Sequence, residues 1–298
     1  MKNILITGGS GFVGMQLTKL LKVNDYEVSW LTRKKNPDFN TPHFLWNWKN
    51  KEIEIEAIEK ADAIIHLAGA NVNGHRWNKK WKKEIYDSRV KSTDFLFGII
   101  PKHSKKIKTF VSASATGYYG CVTSEKICVE SDLPGNDFLA TTCNDWETEA
   151  NKFTELGIRT SIIRTGVVLS ENSEAFKKIC FPIRHGFGAA IGSGKQYFPW
   201  IHLDDLCGIY LKVISDDSMQ GIFNSVAPEF ITNANLTKLF AKDFNKSIWL
   251  PNIPSIVIKI LFGELSESLL NGSRISPDKL IKHGFDFKYP GINDLNRL

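Results

Sequence analysis

Apolar positions recur along this chain in two rhythms. Ile4-Leu5-Ile6 is a short continuous run, and after a turn Met15, Leu17, Leu20 and Leu21 follow at helical spacing. Val28-Ser29-Trp30-Leu31 is a second run. Residues 63–70 form a third, continuous as expected of a parallel strand buried on both faces. The stretch 78–100 returns to the helical period, with Trp81, Ile85, Ser88, Ser92, Leu96 and Ile99 on its inward stripe and Pro101 as its stop. Residues 108–114 read as a strand, 137–156 as a helix closed by Gly157, and 159–163 as a strand. This alternation predicts an α/β fold of the Rossmann type, a doubly wound parallel sheet. Past Ser170 the rhythm loosens. Asp204 is expected to cap a helix over 205–214, a further helix is expected over 235–244, and 249–270 is an apolar helical stretch. Ser276-Pro277 is expected to start the last helix.

The turn after the first run reads Gly8-Gly9-Ser10-Gly11-Phe12-Val13-Gly14. A Gly-x-x-Gly-x-x-Gly turn between strand and helix is the context in which such a motif holds a dinucleotide. Gly8 permits the tight turn, Gly11 lets the backbone approach a pyrophosphate, and Gly14 lets helix and strand pack closely. Free N–H groups at the helix start, aided by its dipole, favour the phosphates. The small residues at the end of Leu67-Ala68-Gly69 would let the chain pass close to the same cofactor. An NAD site of this kind ends its second strand in Asp or Glu, for the ribose 2′-OH. Here Thr32-Arg33-Lys34-Lys35 stands there, and no acid precedes Asp38. Arg33 can grip a 2′-phosphate with its planar fork, so NADP(H) is the expected cofactor. The expected division is a cofactor domain over 1–168, with returns to it around 200–226, and a smaller substrate lobe over 169–298 that includes a helical segment at 249–298. The substrate is expected in the cleft between them.

Composition excludes several classes. The chain has 298 residues, 42% hydrophobic and 23% charged, ordinary for a soluble domain of this size. The net charge of +6 is spread out, and the lysine clusters at 79–83 and 102–108 lack the interleaved aromatics of a nucleic-acid groove. Five cysteines without a Cys-x-x-Cys pair argue against a disulfide framework or a zinc site and for a reducing, cytoplasmic setting. The apolar stretch 253–261 is too short to span a bilayer and contains Lys259. A small-molecule substrate, no nucleic acid, no membrane, no metal, and a monomer or homodimer are therefore expected.

Several blocks together resemble a known family. Gly8-Gly9-x-Gly11-Phe12-x-Gly14, His66-Leu67-Ala68-Gly69, Ser112 to Gly120 and Trp200-Ile201-His202-Leu203-Asp204-Asp205 resemble the extended short-chain dehydrogenase/reductases. Arg76-Trp77, Ser88-Arg89-Val90, Phe138-Leu139-Ala140 with Trp146-Glu147, and Gly192 to Gln196 are similar to its atypical, sugar-nucleotide epimerase-like branch. The family's chemistry uses a Ser and a Tyr-x-x-x-Lys pair, with an assisting Asn. The resemblance implies that Ser114 is the Ser. No Tyr-x-x-x-Lys occurs anywhere in this chain: Leu139 takes the Tyr position, Cys143 the Lys position, and Arg89 that of the Asn. Replacement acids are expected among Tyr118 and Tyr119, with Arg89 restoring the lost positive charge near the cofactor. Cys143 is a possible thiol acid, although a buried packing cysteine is the plainer reading. Arg76, Gln196, Trp200 and His202 are implied to line the substrate. His66 is expected to be a satisfied core histidine and Glu147 a surface or helix-pair charge. These readings imply an NADP(H)-dependent oxidoreductase or epimerase-like enzyme. A non-catalytic NADP(H)-binding regulator is the alternative.

Overall fold

A computed structural model describes residues 2–297. The chain runs β1 (Asn3–Thr7), α1 (Phe12–Val23), β2 (Glu27–Thr32), β3 (His43–Asn47), β4 (Glu52–Ile53), α2 (Glu56–Lys60) and β5 (Ala63–His66). It continues with α3 (Lys79–Asp87), α4 (Val90–His103), β6 (Thr109–Ala115), β7 (Ile127–Cys128), α5 (Phe138–Asn151) and β8 (Arg159–Thr165). Then come β9 (Val167–Leu169), α6 (Glu174–Arg184), β10 (Trp200–His202), α7 (Leu203–Ser215), β11 (Gly221–Ser225) and α8 (Asn233–Asp243). The last elements are α9 (Ser255–Phe262), α10 (Ser266–Leu270), β12 (Arg274–Ile275) and α11 (Asp278–Lys282). Eight strands form one sheet in the order β11-β8-β6-β5-β1-β2-β3-β4, parallel throughout except for β4. The strand order reverses between β1 and β5, where a doubly wound sheet opens its ligand crevice.

Two cores sandwich the sheet. Ile4, Ile6, Leu17, Leu21, Ile65 and Val111 pack with α7 residues Leu206, Ile209, Tyr210 and Val213 on one face. Leu5, Ile64, Phe110, Ile162 and Leu96 pack with Phe153 on the other. Alternate residues of one strand serve opposite cores, which is why these strands read as unbroken apolar runs. A third core holds Leu169, Ile183, Trp200, Ile231, Leu236 and Phe240. The chain closes back on the sheet at 288–289, where the buried Asp205 carboxylate accepts the Lys288 and Tyr289 N–H groups at 2.8 and 3.0 Å.

Several expected boundaries move. The helix expected over 78–100 breaks at Ser88–Arg89 into α3 and α4. There the Ser88 hydroxyl donates to Ile85 O and accepts the Ala70 N–H, while Ser92 donates to Ser88 O. Hydroxyls bonded back into the preceding turn bend a helix. Pro101 lies inside the last turn of α4, which ends at His103, rather than stopping the helix before it. The third strand stops at His66 and leaves 67–70 as loop. His202, not Asp204, caps α7: its Nδ1 accepts the Asp204 N–H at 3.2 Å. The 249–270 stretch becomes helical only at Ser255, after Pro251 and Pro254, because a residue that precedes proline is pushed out of the α region.

Candidate functional site

The glycine turn sits at the switch point. Gly8 has φ +70, and a Cβ there would approach Leu67 C and Ala68 N at 3.1 Å, so the β1 and β5 loops touch. A Cβ on Gly14 would lie 2.5 Å from Gly8 O and 2.6 Å from Gly9 Cα, which fixes Gly14 as the helix-on-turn contact. Gly9 has another reason: its Cβ would lie 2.2 Å from the Trp30 ring. Trp30 in turn donates to Thr18 Oγ1 at 2.8 Å. Gly11, Ser10 and Phe12 are exposed, and Val13 packs half-buried against the core. No side chain caps α1. Its first-turn N–H groups have no intrahelical acceptor, the state in which a helix start can receive an anion. Only hydrogens stand where Cβ atoms would crowd that helix start, so these residues fit a dinucleotide pyrophosphate. At the end of β2, Arg33 is exposed, and no hydrogen bond or ion pair holds it among the described residues.

His66 is a core histidine, as expected. Its Nδ1 lies 2.7 Å from Thr7 Oγ1 and its Nε2 3.2 Å from Ser92 Oγ. Burial first, and then the Arg89 charge, push its pKa down to about 3. The folded state therefore cannot take up the proton that the unfolded chain binds near pH 6.5. Stability from this group is present above pH 6.5 and is lost as pH falls towards 3. The expected slope approaches 1.4 kcal/mol per pH unit below 6.5. Thermal unfolding of wild type against His66→Gln across this range measures it, and the variant's curve should be flatter by one proton.

Arg89 lies at the break between α3 and α4 with its guanidinium against Gly69, whose Cβ would come within 3.0 Å of Cζ. Nη1 donates to Ile85 O at 3.0 Å and Nη2 to Ala70 O at 3.1 Å. It stacks 5.4 Å from the Trp146 ring. Burial lowers its pKa from the usual value, and no carboxylate pairs with it among the described residues. An unpaired cation therefore lies against the β5 loop.

Ser114 does not stand alone. Its hydroxyl donates to Glu147 Oε1 at 2.6 Å. Arg164 closes on the same carboxylate with Nε to Oε1 at 2.8 Å and Nη2 to Oε2 at 2.7 Å. Arg164 also donates to Tyr119 Oη at 3.0 Å, and its Cζ lies 3.3 Å from the Tyr118 ring centroid. Tyr119 Oη donates to Asn224 Oδ1 at 2.6 Å. The expectation that Glu147 is a surface or helix-pair charge is corrected: it is 5% exposed and paired with a strand residue. Burial works against the Arg164 charge, but Glu147 more than offsets this and holds its pKa above the usual value. Removing one member of a buried pair strands the other charge, so Glu147→Gln should cost about 3 kcal/mol. Thermal or urea unfolding reads that loss.

Two other expectations change with this network. Burial, against the opposing pull of Arg164, raises the Tyr119 pKa to about 12, and its hydroxyl is committed at both ends. It is a strut, not a free acid. The Cys143 thiol is buried and raised to about 12, first by burial and then by Glu147; it packs with Tyr118 and Val226 and is not a thiol acid at neutral pH. Tyr118 is buried as the platform under Arg164.

The expected substrate residues scatter. Trp200, expected against the substrate, is 1% exposed and belongs to the third core, so it presents no face to a ligand. Gln196 is buried and spends its amide on Ile191 O and Leu269 O, both at 3.0 Å, tying two loops together. His202 is buried as the α7 cap, its ring 3.7 Å from that of Tyr289. Arg76 alone is exposed, with Nη2 3.4 Å from Ile260 O of α9. Sequence reasoning missed Arg164. The only signal was a charge at the end of a buried strand.

Comparison with known proteins matches residues 4–224 to the NAD dependent epimerase/dehydratase family. The chain belongs to that family. Residues 253–295 match a second family model, a domain of unknown function designated DUF1731. An epimerase family protein of Mycobacterium leprae is 34% identical over 292 residues, covering 98% of this chain and 93% of that protein. The human epimerase family protein SDR39U1 is 32% identical over 295 residues, covering 97% and 96%. A crystal structure of the human protein with NADPH superposes with a TM-score of 0.86 at 29% identity, covering 99% of this chain and 98% of that one. A nucleoside-diphosphate sugar epimerase from Corynebacterium glutamicum superposes at 0.80 with 31% identity, covering 99% of this chain and 57% of that one. The chain is thus an atypical extended short-chain dehydrogenase/reductase of the epimerase family, and its sequence holds no Tyr-x-x-x-Lys.

Proposed function

We propose that this epimerase-family protein binds NADP(H) and performs redox chemistry, with epimerisation by transient oxidation as a variant, on a polar substrate of the sugar-nucleotide type. The observation that carries the cofactor choice is Arg33: a free guanidinium stands at the end of β2, where a free ribose 2′-OH requires an acid. The human relative solved with NADPH supports the same choice. The Corynebacterium relative, named as a nucleoside-diphosphate sugar epimerase, supports the substrate class. Arg33→Ala should weaken NADPH binding by about 1.5–3 kcal/mol and leave NADH nearly unchanged. Titration calorimetry with both cofactors tests this, and equal losses would refute the assignment.

NADP(H), when bound, would supply or accept hydride, and the chain's own residues would handle the oxygen. The Ser114 proton is committed to Glu147, so Ser114 Oγ has lone pairs left for a hydrogen bond from a substrate hydroxyl. The hydroxyl proton would pass to Ser114 Oγ as the Ser114 proton moves to Glu147 Oε1, and Arg89 brings a cation to the same end of the sheet. The regulator reading has its own support: Leu139 cannot donate a proton, and Tyr119 and Cys143 are held protonated. Incubating the protein and NADPH or NADP⁺ with carbonyls, alcohols and sugar nucleotides decides between them. Turnover of any member favours the enzyme, and tight NADPH binding without turnover favours the regulator.

A further inference from the structure

The apolar helix α9 is turned outward. Ile256, Ile260 and Leu261 are 61%, 66% and 62% exposed, and Val257 and Phe262 are exposed with them. At 100° per residue, positions 256, 257, 260 and 261 form one continuous stripe. Of the eight α9 residues only Ile258 is buried, and it holds the helix to the lobe. Six residues before the helix, Trp249 is also exposed while its indole N–H donates to Gly186 O at 2.9 Å. A soluble surface rarely carries such a row without an occupant.

The charges beside the stripe are mostly basic, and the acid Glu264 at its end is paired with Lys82. Lys259 is exposed on the helix itself. Arg76 reaches Ile260 O, and Lys82 pairs with Glu264 at 2.6 Å, so the start of α3 lies against the end of α9. Lys79 is exposed on the same face of α3 as Lys82, three residues earlier, and no acid pairs with it among the described residues. These cations suit an anionic surface. They disfavour a second copy, because two-fold pairing of α9 would bring Lys259 towards its own mate. Size argues the same way. An eight-residue helix is about 12 Å long, and its stripe offers far less than the ~800 Å² per partner of an ordinary stable interface. A bilayer demands no matching footprint, only an apolar stripe with cations at its flank and an aromatic residue at headgroup level.

We propose that α9 adsorbs to an anionic phospholipid bilayer, with Ile256, Val257, Ile260 and Leu261 at the acyl boundary and Lys259, Arg76 and Lys79 among the headgroups. The expectation of no membrane partner rested on the length needed to span. Among the described residues no helix is long and apolar enough to cross a membrane, and adsorption needs no such length. The mode places the clasp of Arg76 and Lys82 on α9 at the lipid surface.

The test is co-sedimentation of the full chain with phosphatidylcholine vesicles, with and without phosphatidylserine. The chain should sediment with the anionic vesicles only, and added salt should release it. Ile260→Asp with Leu261→Asp should reduce partitioning by about ten-fold or more. Lys259→Glu should reduce it less. Both positions are exposed, so NADPH affinity and the unfolding midpoint should not change, which separates this result from failure of the cofactor assignment. Absence of sedimentation with anionic vesicles overturns the proposal, as does equal sedimentation of the double-Asp variant. A concentration-dependent dimer abolished by the double-Asp variant, without vesicle binding, would assign the stripe to a second copy instead.

Discussion

Gly11→Val should abolish NADPH binding while the protein stays folded. Gly11 has φ −80 and ψ 173, which any residue adopts, and a Cβ there meets only Gly8 O, at 3.1 Å. The branched side chain would rise from the α1 start into the space where the pyrophosphate must reach the helix N–H groups. Binding should therefore vanish in nucleotide titrations, with the thermal midpoint shifted by only a few degrees. Gly14→Ala is the contrasting variant. Its Cβ would lie 2.5–2.7 Å from the backbone of Gly8 and Gly9, so folding itself should suffer. A folded Gly11→Val protein that binds NADPH normally would show that the motif is only a turn.

Ser114→Ala should leave NADPH affinity within a few-fold and lower turnover by roughly 10²–10⁴, on any substrate that turns over. Ser114 is the penultimate residue of β6, a central strand, with Glu147 behind it fixing the direction of its proton. The alanine removes that oxygen and leaves the Glu147–Arg164 pair in place, so the fold should persist. Cys143→Ala should cost little activity, because a buried thiol held near pKa 12 stays protonated at neutral pH. Steady-state kinetics on both variants settle the assignment. If Cys143→Ala abolishes activity and Ser114→Ala does not, the roles are inverted.

Local patterns carried most of what the sequence revealed. The run Ile4-Leu5-Ile6, the glycine turn and the Leu17/Leu21 face are contiguous, and each contributes to one compact βα unit. Strands β3 and β4 escaped notice because His43–Asn47 is half-buried with no clean alternation, and two-residue β4 exists only through its pairing with β3. The break at Ser88–Arg89 was invisible because the Ser88 hydroxyl that bonds back into its own turn is also held by the Ala70 N–H, from a loop eighteen residues away. Periodicity sees only the stripe, which Ser88 and Ser92 continue. The site showed the same divide. Ser114, Arg89 and the glycines were legible as motif positions, but the ion pair that governs Ser114 joins a helix to a strand. Trp200 and Gln196 sit in a motif-like block, yet their burial serves packing and loop ties. A motif marks a neighbourhood, and only three-dimensional contact separates the residues that face a ligand from those that hold the others still.

The Asp205 carboxylate has a consequence for synthesis. It is buried at the start of α7, burial raises its pKa, and its two direct partners come from the Lys288 and Tyr289 backbone. A nascent chain that has emerged only as far as β11 already contains every strand of the main sheet. Its Asp205 is still without those partners, and it must stay hydrated or protonated until some sixty more residues leave the ribosome. The sheet of a chain that has emerged only as far as β11 is thus kept short of the stability that residues 288–289 add to it.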